Sequence, residues 1–98
     1  MVDVVNTSGK RKTAIARAVV KAGTGRVTVN KVPLDVYSPE LARLKIEEPL
    51  GLVPERAQGV DIAVTVQGGG VMGQAAAART AIARGLVDFY KDEELEAI

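Results

Sequence analysis

Apolar and polar positions alternate or recur in separate blocks along the chain, and each block predicts an element. Val2–Val5 and Thr13–Ala22 are rich in β-branched and small apolar residues and read as strands. In the second run Ala14, Ala16, Ala18 and Val20 share one face, while Thr13, Ile15, Arg17, Val19 and Lys21 share the other. The small-residue face suits a closely packed helix. The other face presents Arg17 and Lys21 outward, as in an antiparallel sheet covered on one side only. Gly23-Thr24-Gly25 is a turn signal, and Arg26–Asn30 follows as a short strand. Ser38-Pro39-Glu40 predicts a helix start, with Ser38 as N-cap and Pro39 at the first helical position. The helix is expected over Leu41 to about Glu47, with Pro49 and Gly51 ending it, and residues 51–59 are expected to be a surface loop.

Val60–Gln67 alternates cleanly, with Val60, Ile62, Val64 and Val66 on one face, and predicts a fourth strand. From there to the C-terminus the period lengthens. Val71, Ala75, Ala78, Ile82, Leu86 and Phe89 recur at steps of three and four residues, forming a helical stripe that can lie on a sheet. Ala75–Ala78 make that helix slim, and Asp92-Glu93-Glu94 is positioned to cap one more short helix. Three strands, a helix, a strand and a helix predict an α+β unit with helices on one face of the sheet. Periodicity assigns the last strand a face but neither a partner nor a direction.

A length of 98 residues has room for one domain spanning 1–98, and 47% apolar with 26% charged residues is ordinary for a soluble globular protein. No apolar run approaches the roughly 18 to 20 residues of a membrane helix, so an intracellular, soluble protein is expected. Cys and His are both absent, which excludes disulfides, thiol nucleophiles and the usual zinc sites, and no cofactor is implied. The net charge of +1 conceals an asymmetry: residues 1–46 hold nine Lys or Arg against three Asp or Glu, and the remainder holds four against nine. Such a split predicts a basic face for a polyanion, unless folding mixes the charges in space.

Two stretches are candidates for chemistry. Gly68-Gly69-Gly70-Val71-Met72-Gly73-Gln74 joins a strand to a helix, and glycines there let another backbone approach amides that lack partners within the helix. Gly68, Gly70 and Gly73 match G-x-G-x-x-G, but a dinucleotide fold needs a second parallel strand ending in an acidic residue about 20 positions on. Asp88 lies on the same helix and only ten residues follow it. No Lys-Ser or Lys-Thr pair closes a P-loop either. Without a ligand, the glycines serve a tight turn and close helix–sheet packing.

The second stretch is Gly9-Lys10-Arg11-Lys12-Thr13. Successive side chains on extended chain alternate, so three adjacent cations cannot share one sheet face and are expected at a protruding corner that meets phosphates. A solvated edge whose charges deter strand pairing is the simpler alternative. Arg79 and Arg84 are five residues apart, about 140° around a helix axis, so they do not form one patch. One is available to a ligand near the glycine loop while the other braces a neighbouring element. The three aromatics, Tyr37, Phe89 and Tyr90, lie outside the alternating strands, which argues against a base-stacking single-strand binder.

Together these residues resemble a known family. Gly9–Ala18, the segment Gly25–Asn30, and Gly68-Gly69-Gly70 through Gln74, Arg79 and Arg84 resemble the ninth protein of the small ribosomal subunit, and Ser38–Leu50 resembles its archaeal branch. The resemblance implies an RNA-binding structural protein of the subunit head, not an enzyme, with small-subunit rRNA and neighbouring ribosomal proteins as partners. It also implies a four-stranded mixed β-sheet with a left-handed β-α-β crossover, as in the second domain of the fifth small-subunit protein. By position, Lys10, Arg11, Lys12 and Arg17 would meet rRNA phosphates. Gly69, Gly70 and Gln74 would admit RNA backbone to the helix start, and Arg79 and Arg84 would add charge or local bracing.

Members of that family continue past the last helix into a basic tail that reaches toward tRNA in the peptidyl site. This chain ends at Glu93-Glu94-Leu95-Glu96-Ala97-Ile98, so the tRNA contact is not carried over. Two other readings follow: a tail-free, engineered or reconstructed scaffold that binds RNA weakly, and a small nucleotide-binding enzyme using Gly68–Gly73. Self-association through surface that the ribosome would cover is a further expectation.

Overall fold

The computed structural model describes the backbone of residues 4–97 and the side chains of residues 4–90. Strands β1 (Val4–Arg11) and β2 (Ala14–Ala22) form a hairpin, and two short strands follow, β3 (Val27–Val29) and β4 (Val32–Pro33). After a single 3-10 turn at Leu34–Val36 come helix α1 (Glu40–Leu52), the short helix α2 (Pro54–Ala57), strand β5 (Val60–Gln67) and the long helix α3 (Val71–Ala97). The sheet therefore has five strands rather than four, in the order β1-β2-β5-β3-β4. The additional strand, β4, is two residues long and carries no period.

The last strand inserts between the first hairpin and β3. β5 runs antiparallel to β2 and parallel to β3, so the sheet is mixed, and α1 lies within the crossover connecting β3 to β5. The side chain of Asn30 extends the β3–β5 pairing past the end of β3. Its Nδ2 donates to the Val66 carbonyl at 3.1 Å, its Oδ1 accepts from the Val66 amide at 2.9 Å, and its own amide donates to the Val64 carbonyl at 2.8 Å. Asn30 also has a positive φ of 50°, which Asn tolerates better than most residues. Asn30→Ala is expected to lower the unfolding free energy by about 2 kcal/mol, because it removes two hydrogen bonds and orphans the Val66 amide. Urea denaturation gives the value, and an unchanged midpoint would contradict this account of the β3–β5 junction.

All helix packing is on one face. Ala14, Ala16, Ala18 and Val20 of β2 and Val60, Ile62, Val64 and Val66 of β5 are buried beneath α3, whose Ala75, Ala78, Ile82, Leu86 and Phe89 are buried in turn. Both surfaces are built from small residues, so helix and sheet approach closely. Where β1 passes under α3, the approach tightens further. A methyl group on Gly9 would lie 2.7 Å from the Ala81 amide nitrogen and closer still to the Ala77 carbonyl oxygen, and one on Gly85 would lie 2.5 Å from Val20 Cγ2. The Thr7 hydroxyl donates to the Ala81 carbonyl at 2.8 Å across the same contact.

Several boundaries differ from those the periodicity predicts. The first strand was expected from Val2; Val2 and Asp3 lie outside the described residues, and β1 continues to Arg11 instead of ending at Val5. Helix α1 begins at Glu40 with Pro39, not Ser38, at the N-cap, and no side chain caps it. It then passes through Pro49 and Gly51 to Leu52; Pro49 is buried, and that burial offsets the helix-breaking tendency. The expected loop over 51–59 contains α2, with Pro54 at its first position. Val71, the first residue of α3, is half exposed and lies outside the buried apolar stripe. No second helix begins at Asp92-Glu93-Glu94, since α3 runs unbroken through them. Among the described residues, no helix is long and apolar enough to cross a membrane.

Candidate nucleic-acid interface

The β1–β2 hairpin sets the basic corner. Arg11 pairs with Ala14, which leaves Lys12 and Thr13 as a two-residue loop with a φ of 55° at Lys12. Positive φ at the first loop position matches the twist that such hairpins require. Lys10 stands on the helix-free face of the sheet beside Ile15, Arg11 alternates to the other side, and Lys12 occupies the tip. The three cations therefore fan around one end of the sheet, and all are exposed. Among the described residues, none of them makes an ion pair or side-chain hydrogen bond. Arg17 is exposed on the helix-free face, one cross-strand position beyond Lys10.

The glycine junction packs against this corner. β5 ends where β2 begins, with Gln67 opposite Ile15, so the Gly68-Gly69-Gly70 turn lies beside the Lys12–Thr13 loop. Gly68 and Gly69 have φ values of 79° and 65°. A methyl group on Gly68 would collide with the Thr13 carbonyl oxygen, and one on Gly69 would sit 3.1 Å from Ala14 Cβ. The close-packing role accounts for both of these glycines. Gly70 differs: nothing lies within 4 Å of a Cβ placed there, so its open side is free for a ligand. Gln74 closes the turn, its amide donating to the Gly70 carbonyl at 2.9 Å and its Nε2 to the Gly68 carbonyl at 3.1 Å. The first amides of α3, from Val71 to Gly73, have no partner within the helix and carry its positive dipole end.

Arg79 and Arg84 are both used internally. Arg79 reaches Glu48 of α1 at 2.6 Å, an exposed ion pair of little energetic weight that ties α1 to α3. Arg84 donates to the Ser8 carbonyl at 3.0 Å on β1. β1 is an edge strand, so this bond occupies a carbonyl that would otherwise be open to another chain. Neither arginine reaches the glycine loop. The charge asymmetry is partly neutralised on α1, where Arg43 lies 3.4 Å from Glu40 and 3.9 Å from Glu47, and it persists on β1 and β2.

Asp61 has a structural role that periodicity alone does not indicate. Its Oδ1 accepts from the Arg26 and Thr24 amides, each at 3.0 Å, and so shapes the Gly23–Arg26 turn. The Arg26 amide first and the Thr24 amide next hold its carboxyl below the usual value of 3.8, and the Arg26 and Lys21 charges add to the effect. The folded protein therefore keeps Asp61 ionised at lower pH than the unfolded chain. Its stabilising contribution is complete above about pH 4 and fades as pH falls through the depressed folded value. Asp61→Asn should remove that part of the acid dependence, which equilibrium unfolding between pH 2 and 6 measures; an unaltered pH profile would contradict the assignment.

The Gly68–Gly73 loop does not sit in a dinucleotide fold. The strand that leads into the loop, β5, is antiparallel to β2, and its parallel neighbour, β3, precedes it in the chain. Nor do the structure and the known relatives lend support to a nucleotide-binding enzyme or an engineered scaffold. Residues 9–98 match the family described as Ribosomal protein S9/S16. The chain is 57% identical over 94 residues to the small ribosomal subunit protein uS9 of Thermoplasma volcanium, covering 96% of this chain and 71% of that protein. It is 54% identical over 97 residues to the uS9 protein of Desulfurococcus amylolyticus, covering 99% and 69%, and 58% identical over 92 residues to that of Aeropyrum pernix, covering 93% and 61%. With its basic hairpin and glycine junction set at one end of a mixed sheet, the chain belongs to the S9/S16 family of ribosomal proteins, a structural and not an enzymatic family.

Proposed function

We propose that the chain is a structural constituent of the small ribosomal subunit that binds rRNA through phosphate and shape contacts. The juxtaposition of Lys10, Arg11 and Lys12 with the Gly68–Gly70 turn supports this reading most directly, since it sets mobile cations beside unpaired helix-start amides. Phosphates would meet Lys10, Arg11, Lys12 and Arg17, while the open side of Gly70, with Gly69 and Gln74 shaping the turn, would admit the RNA backbone. Arg79 and Arg84 would act by holding α1 and β1 against α3. Neighbouring ribosomal proteins are the expected further partners, and the cytoplasmic ribosome the expected location. Binding to archaeal small-subunit rRNA, measured across a salt series, tests the proposal. Saturable affinity that falls steeply with salt is expected, and the absence of saturable binding at low salt would overturn it.

A further inference from the structure

The helix-free face of the sheet carries a second pattern of chemistry, which shares Lys10 with the hairpin corner and extends away from it. Strand register places Ser8, Arg17 and Thr65 side by side in one cross-strand row, with Lys10 and Gln67 in the next row and Lys21 four residues along β2 from Arg17. All six side chains are exposed. Neighbouring strands lie about 4.8 Å apart and residues along a strand rise about 3.4 Å, so the cations span about 20 Å of this surface with hydroxyl and amide groups between them. The acidic group on this face, Asp61, accepts the Thr24 and Arg26 amides and stands opposite Lys21, offsetting part of that charge, while among the described residues Lys10 and Arg17 have no acidic neighbour across the strands. Among the described residues, Lys10, Arg17 and Lys21 make no ion pair or side-chain hydrogen bond.

The charge of this face selects a polyanion, and its shape selects the kind. No aromatic ring is available for stacking bases: Phe89 is buried on the helix side, Tyr90 donates to the Arg56 carbonyl, and Tyr37 packs against the core. The larger aliphatic residues on β1 and β2 of this face are Val4, 45% exposed, and Ile15 and Val19, each 37% exposed. Arg17 separates Ile15 from Val19 and Lys21 stands opposite Val4, so charged side chains interrupt the apolar surface and leave only the small Val19–Ala63 contact continuous. A double-helical RNA presents a wide, shallow minor groove lined with ribose 2′-hydroxyls and flanked by phosphates. A cross-strand row of hydroxyl and amide side chains bordered by cations offers hydrogen-bonding groups to those hydroxyls and charge to those phosphates.

We propose that the helix-free face of the sheet docks on the minor groove of a double-helical RNA segment, with Ser8, Thr65 and Gln67 on ribose 2′-hydroxyls and Lys10, Arg17 and Lys21 on the flanking phosphates. This inference rests on the RNA-binding reading above and deepens it by naming the form of RNA and a second contact surface.

The test compares the 98-residue protein and its variants on three probes: an RNA stem, a DNA duplex of the same sequence, and single-stranded RNA. The wild type should prefer the RNA stem. Ser8→Ala combined with Thr65→Val removes two hydroxyls without changing charge; it should weaken stem binding about tenfold, leave the salt slope unchanged and leave DNA binding unaffected. Arg17→Gln with Lys21→Gln should reduce the salt slope by about two. Circular dichroism checks that each variant keeps its fold. A hydroxyl variant that binds the stem like wild type would overturn the proposal. If stem binding is lost only when Arg11 and Lys12, which lie off this face, are replaced, the hairpin corner remains the RNA site and this face is excluded. Failure of every probe to bind takes down both readings. A change in sedimentation with Arg17→Gln and none in RNA affinity would assign the face to a protein partner, again overturning it.

Discussion

Gly9→Ala is expected to lower the unfolding free energy by about 3 kcal/mol, a large loss for one methyl group. Gly9 is buried where β1 crosses beneath α3. The added methyl would meet the Ala81 amide nitrogen at 2.7 Å and Thr80 Cβ at 2.9 Å, with the Ala77 carbonyl closer still. A flexible side chain would swing aside at little cost, but two of these obstacles are helix backbone. Relief requires α3 to lift from β1, which also strains the Thr7–Ala81 hydrogen bond and loosens the alanine face above β2. A small domain holds a reserve of about 5–15 kcal/mol, so Tm should drop by more than about 10 °C. Gly70→Ala is the control: it meets nothing within 4 Å and should change stability by no more than about 0.5 kcal/mol. Thermal and urea unfolding of both variants decide the matter, and a Gly9→Ala protein as stable as wild type would mean that α3 does not approach β1 this closely.

Replacing Lys10, Arg11 and Lys12 together by Ala should flatten the dependence of log affinity on log salt by about two to three units on small-subunit rRNA. Each cation that neutralises a phosphate releases about one counterion, so the slope counts contacts even where their geometry differs. The three side chains fan in different directions around the hairpin end, and a curved or helical RNA backbone is the kind of ligand that meets all of them. Stability should barely change, because all three are exposed and Ala at position 12 is no less suited than Lys to the positive φ there. Filter binding or fluorescence anisotropy across a salt series reads the slope. An unchanged slope would remove the corner from the interface.

These two substitutions differ in how much of their basis was legible in the sequence. The cationic run was visible as three consecutive residues, and alternation alone implied that they diverge. Gly9, by contrast, stands at the head of that basic run and looks like part of a phosphate-binding motif, yet its lack of a side chain answers to α3, about 70 residues away. Strand faces were readable because alternation over Ala14–Val20 and Val60–Val66 maps directly onto burial. The path of α1 through Pro49 was not, since local propensity ends a helix there and only burial against the core offsets that cost. Arg79 and Arg84 were correctly separated by helix geometry, but their partners Glu48 and Ser8 lie on other elements and leave no local signal.

The sequence by itself determined which residues face the core, the α+β order of the major elements, the concentration of positive charge in the first half, and the family, because each is written in local periodicity, composition or contiguous motif. Tertiary structure alone decided that β5 inserts between β2 and β3, that the side chain of Asn30 extends their sheet, and that the Gly68–Gly70 turn rests on the Lys12–Thr13 loop. Periodicity assigns a strand to a face, whereas its partner depends on the competition among all strands for edges and on what the helices can cover. That competition brings two motifs more than 50 residues apart to one end of the sheet, where each supplies what the other lacks for holding a phosphate backbone.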